Sequence, residues 1–133
     1  MDELNRFANR YAVAWCSQGP ESVAAFFAED GSLRVNDGPP AIGRAAIAEV
    51  ACGFMTAFPD LVVKFDRLIL KPYGADFHWT LTGTNNGPDG TGKKVRISGH
   101  EEWRIGANGL VEESRGYFDA AEYQRQLEHG VDS

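Results

Sequence analysis

The stretch "DFHWTLTGTN", residues 76–85, decides the fold. Phe77, Trp79 and Leu81 alternate with His78, Thr80 and Thr82, so an extended chain sends large apolar groups to one side and polar groups to the other. That is the pattern of a strand lying on a core. "LVVKFDRLIL" (61–70), "KVRISGHEEWRI" (94–105) and "GLVEESRGYF" (109–118) are further runs of the same kind. "KPYG" (71–74), "NGPDGTGK" (86–93) and "GANG" (106–109) separate them, the punctuation of consecutive antiparallel strands.

A meander with one apolar face needs a cover. Upstream, Leu4, Phe7, Ala8, Tyr11, Ala14 and Trp15 repeat at three and four, which draws an apolar stripe on a helix ending near "SQG". Pro20 suits the first turn of a short second helix carrying Val23, Phe26 and Phe27. After "EDG", "SLRV" (32–35) is a short strand, and "NDGPP" (36–40) is loop. A third helix has Ile47, Val50, Ala51, Phe54 and Phe58 on one face, and Pro59 ends it. The expected class is α+β: three N-terminal helices packed into the concavity of a twisted antiparallel sheet, with a short last helix from about Asp119.

A chain of 133 residues, 43% of them hydrophobic, makes one domain, 1–133, with a single core. The net charge is −6 and the 13 Lys and Arg are scattered, so phosphate backbones and anionic membranes lack their main attraction. "MDELNRFANRYAVAW" has charges throughout and fits neither a secretory signal nor a membrane span, which makes the cytoplasm the expected location. Cys16 and Cys52 have no CxxC spacing and read as buried thiols in a reducing compartment. A reactive thiol would need a neighbouring base or cation that the pattern does not supply.

"GPDGTGKK" (87–94) nearly spells a phosphate-binding loop, but Lys94 stands where Ser or Thr must reach magnesium, and strand rather than helix follows. The hairpin-loop reading prevails. His78, His100 and His129 form no pair with metal-ligand spacing, and His100 and Glu101 point to opposite faces of a strand, so no metal is expected.

Glu101 shares a strand face with Trp103 and Ile105. An acid among apolar walls has its neutral form favoured, which is how a carboxyl becomes a proton donor near neutral pH. The competing reading is a shifted alternation that leaves Glu101 on the surface. Asp37, before Gly in a loop, is a weaker candidate, because such an Asp usually forms a turn. Trp15, Phe54, Phe58, Trp79 and Trp103 fall on inward faces, where they either fill a core or line a cavity. Asp119, with Glu122 three residues on, has the capping-box pattern of a helix start.

"AFPDLVV" (57–63), "WTLTGTNNG" (79–87), "GTGKKVRISG" (90–99), "GLVEESRGYFD" (109–119) and "QRQL" (124–127) together resemble the SnoaL-like polyketide cyclases of the nuclear transport factor 2-like superfamily. The resemblance implies a cone-shaped α+β fold, a homodimer formed through the sheet, and a largely apolar pocket. It also implies cofactor-independent ring closure or isomerisation of a small hydrophobic carbonyl compound, polyketide-, steroid- or terpenoid-like, by a pocket acid. Matched through "YFD" and "QRQL", the family's acid falls on Gly116, its pocket histidine falls close to Glu101, and Asn85 stands where many relatives have His. The expected site is therefore Glu101 as acid/base, with Asp37 beside it, and Trp15, Phe54, Trp79, Trp103 and Tyr117 lining the pocket. With Gly116 at the acid's position, the alternative is a ligand-binding or dimerisation module that catalyses nothing.

Overall fold

The computed structural model describes residues 2–131; positions 1, 132 and 133, the ends of the expected domain, lie outside the described residues. In chain order the elements are α1 (Asp2–Trp15), α2 (Pro20–Ala24), β1 (Phe27–Val35), β2 (Ala41–Ile42), α3 (Arg44–Ala57), β3 (Val62–Lys71), β4 (Gly74–Thr84), β5 (Lys94–Ile105), β6 (Val111–Phe118) and α4 (Ala120–His129). The strands form one six-stranded sheet in the order β2-β1-β6-β5-β4-β3. The α+β architecture is the expected one, with a meander of four strands under helices.

The alternation in "DFHWTLTGTN" does what its period demands. β4 pairs with β5 without interruption from Gly74↔Arg104 to Thr84↔Lys94, and Phe77, Trp79 and Leu81 are buried on the inner face. Gly74 is needed where it stands, because a Cβ there would run into the backbone carbonyl of Trp103. The inner face meets α1 through Phe7, Tyr11 and Trp15, all buried, so the stripe at three and four is the core-facing side of that helix. Tyr11 contacts the rings of Phe26, Phe27, Phe77 and Trp103 edge to face, with centroids 5.3–6.0 Å apart.

Four details differ from the sequence reading. Phe27 belongs to β1 rather than to the second helix: Val111 donates its N–H to Phe26, and Phe27 pairs with Val111. The segment "EDG" is an irregularity inside β1 rather than a turn before it, with a register shift between Phe27 and Ser32. β1 pairs parallel to β6, so the sheet is mixed at that edge. Cys52 is exposed on α3, whereas Cys16 is half-buried and accepts from the N–H of Val63 at 3.2 Å.

Residues 87–94 are loop and the first residue of β5, as a hairpin requires. Asn85 ties that loop down, its side chain accepting from the N–H of Thr91 at 2.9 Å and donating to the carbonyl of Ala57 at 3.1 Å. Asp119 caps α4 by accepting from the N–H of Glu122 at 3.0 Å. The other half of the expected capping box is replaced, because the Glu122 carboxylate is engaged by Arg125 and Gln126. No helix among the described residues is long and apolar enough to cross a membrane.

Candidate functional site

Between helices and sheet lies a cavity of about 60 Å³. Its base is built from inner-face positions of four strands: Leu33 on β1, Gly116 on β6, Ile97 and Glu101 on β5, and Trp79 on β4. Trp15 of α1 closes one side. Val50 and Phe54 of α3 and Tyr123 of α4, all partly buried, complete the wall on the helix side. The walls are almost entirely apolar, and among the described residues Glu101 is the one acid in them.

Glu101 is 7% exposed, and its carboxylate is held by side chains from three elements. Oε1 accepts from Ser114 Oγ at 2.7 Å, from Trp103 Nε1 at 2.9 Å and from the Tyr11 hydroxyl at 3.0 Å. Oε2 receives only the shared Tyr11 hydroxyl, at 3.2 Å. The three donors are almost completely buried and are not cavity walls, so they hold the acid from behind.

Burial raises the Glu101 carboxyl above its usual value, and the donors Trp103, Ser114 and Tyr11 pull against that rise. Burial, and then the adjacent Glu101 charge, push the Tyr11 phenol well above its ordinary range. Tyr11 therefore keeps its proton and stays a donor. Because an indole N–H can only donate, Oε1 remains an acceptor whichever state the carboxyl is in.

The expected site residues separate into two groups. Trp15, Phe54, Trp79 and Glu101 come together around the cavity. Trp103 is 1% exposed and stands behind Glu101, stacked on Phe77 at 4.9 Å, so it supports the acid instead of lining the space. Tyr117 is on the other side of the sheet, because its neighbours Gly116 and Phe118 take the inward positions. There its ring stacks on His100 at 5.2 Å, and His100 stacks on His78 at 5.3 Å. Asp37 is exposed in the turn after β1 and is not a cavity wall.

Of the three side chains that hold Glu101, two were not singled out from sequence as parts of a site. Tyr11 read as one more core position of a helical stripe, and its hydroxyl meets an acid 90 residues away. Ser114 could have been found through alternation, since it lies two residues before Gly116 on the same strand face.

The model of the family described as SnoaL-like polyketide cyclase matches residues 5–127. No curated protein matches the chain. Among solved structures, a hypothetical protein of Catenulispora acidiphila with a ketosteroid isomerase-like fold, in complex with trimethylamine, is similar with a TM-score of 0.81 at 15% identity over 91% of each chain. A candidate hydroxylase from Streptomyces galilaeus gives 0.79 at 21% identity over 96% of each chain. A phenazine biosynthesis-related protein of Pseudomonas aeruginosa gives 0.75 at 17% identity, covering 99% of this chain and 92% of its own. Likeness at these identities carries the fold and not the chemistry.

Proposed function

The chain belongs to the SnoaL-like polyketide cyclase family, and from that premise we propose that its cavity binds a small hydrophobic carbonyl compound on which Glu101 moves a proton without a cofactor. The observation that carries this reading is one buried carboxyl in the wall of an apolar cavity, held chiefly through Oε1 by Ser114, Trp103 and Tyr11. Such an acid is oriented before the ligand arrives, and a carboxyl raised by burial is a stronger base toward a hydrogen on carbon when ionised and can return the proton once it has taken it. The reaction class is proton transfer beside a carbonyl, as in isomerisation or the first step of an aldol cyclisation. The cavity of about 60 Å³ is well below the roughly 300–1,000 Å³ of clefts that hold drug-sized ligands, so a fused skeleton does not fit inside it as it stands.

The test is exchange of the α-hydrogens of cyclohexanone in D2O, followed by NMR, with wild type and Glu101→Gln. Faster exchange with wild type and loss of that excess in the variant supports acid/base work. Equal rates sink it, and a binding module without catalysis takes its place, the reading that Gly116 at the family's acid position favours.

We propose also that two copies associate through the outer face of the sheet. The half-buried stack His78–His100–Tyr117 occupies the middle of that face, and Val62 and Ile69 are exposed on β3 beside it. Light scattering of wild type against Tyr117→Asp tests this: a monomeric wild type ends the proposal. The two free cysteines suit a reducing compartment, in keeping with a cytoplasmic protein.

A further inference from the structure

Two buried side-chain nitrogens among the described residues lack a hydrogen-bond partner, Arg34 Nε and Trp79 Nε1. Only Trp79 is a wall of the cavity. Its ring is 9% exposed and sits on the inner face of β4, with the six-membered part of the indole lying against Gly99 of β5. A Cβ on Gly99 would come within 2.6 Å of Trp79 Cζ2, so the bare glycine is what lets the indole lie down there. The ring is further held by Phe118, edge to face at 6.0 Å. An indole N–H can donate and do nothing else, and a buried donor left unmade costs about 1–3 kcal/mol. The other two indoles differ in this respect: Trp103 gives its N–H to Glu101, and Trp15 has no place among the buried unpartnered atoms.

We propose that Trp79 Nε1 is the recognition point for an acceptor oxygen of the ligand, so that the site selects carbonyl compounds over hydrocarbons of the same shape. This rests on the reading of the cavity as a ligand site and adds to it the group that reads the oxygen. The arrangement of strands supports the pairing of roles. Trp79 faces Gly99 across β4 and β5, and Glu101 is two residues along from Gly99 on the same face. Trp79 and Glu101 are thus diagonal neighbours, a backbone separation of about 7–8 Å that one small ring can bridge. A ligand with its oxygen on Nε1 would lie between the indole and the Glu101 carboxyl, both of them in the cavity wall. The indole N–H then stabilises the oxygen as charge gathers on it, while Glu101 exchanges the proton on carbon.

The test uses two probes of one shape, cyclohexanone and methylenecyclohexane, titrated into 15N-labelled protein. The chain has three Trp, so three indole N–H signals are expected, and Trp79→Phe identifies the one that matters. The proposal expects cyclohexanone to move the Trp79 indole proton downfield and to bind up to about tenfold more tightly than the hydrocarbon, the worth of one hydrogen bond. It also expects Trp79→Phe to remove that preference while the hydrocarbon still binds. Equal binding of both probes, with methyl signals of Leu81 and Val50 shifting and the Trp79 N–H unmoved, overturns the proposal and leaves the cavity reading standing. If neither probe shifts those methyl signals at saturating concentration, the cavity reading falls and this proposal with it.

Discussion

Glu101 on β5 and Gly116 on β6 are cross-strand partners, and a Cβ placed on Gly116 would lie 3.7 Å from Glu101 Cγ. The position where the family resemblance puts an acid and the acid this chain possesses are therefore next to each other on one wall. The same corner of the cavity keeps a carboxyl, supplied by the neighbouring strand, and the missing side chain at 116 leaves room beside it.

Gly116 is not required for backbone reasons, since its φ is not positive and a Cβ there meets only the Arg34 carbonyl at 3.5 Å and Glu101 at 3.7 Å, ordinary contacts. Gly116→Ala should stabilise the protein by about 0.4–1 kcal/mol through the unfolded chain. Urea unfolding reads this directly, and a loss of stability instead would mean the corner is tighter than these distances allow.

Stability should depend on the ionisation of Glu101 in a definite direction. Burial raises its folded-state value above the usual 4.5. As pH climbs past 4.5 the unfolded chain gives up this proton while the folded chain keeps it, so stability falls until the folded value is passed and then stays lower. Glu101→Gln has no proton to lose there. Its stability relative to wild type should rise across that window and level off above it, in unfolding curves taken over a pH series; a difference that stays flat would contradict the direction of the shift.

Tyr11→Phe removes one of three donors to the carboxylate. The cost should be about 1.5–3 kcal/mol where Glu101 is ionised, the usual worth of a hydrogen bond to a charged group, and clearly less below pH 4.5. The same variant should raise the Glu101 carboxyl further, visible as a shifted midpoint in the pH dependence of any proton-transfer rate.

Asp119 separates structural from chemical roles among the acids. Its carboxylate accepts from the N–H of Glu122 at 3.0 Å and starts α4. Asp119→Ala should cost about 0.5–2 kcal/mol, and Asp119→Asn, which also caps, should change little. Neither should alter α-hydrogen exchange once the protein is folded.

The inner-face alternation of Phe77, Trp79, Leu81 and Glu101 was legible because each strand repeats it locally and the hairpins set its register. Phe27 was not, because it lies four residues after Val23 and so prolongs a helical stripe that only a pairing with distant Val111 interrupts. Tyr117 was misplaced by its chemistry: an aromatic next to Gly116 looks like a pocket wall, while the pleat sends it to the other face. The partners of Glu101 come from α1, β5 and β6, and no sequence pattern links Tyr11 to Ser114. A local reading could find the acid and its strand neighbour Trp103, but not the hydroxyl that α1 brings to it.

A lone acid on a single wall also has a geometric consequence for the product. A ligand seated against Glu101 with its oxygen on Trp79 offers only one side of its enol plane to the carboxyl, so a hydrogen removed from that side is replaced on that side. The exchange would be suprafacial, and in D2O the label would enter one of the two hydrogens on the reacting carbon, giving a chiral CHD centre of a single hand.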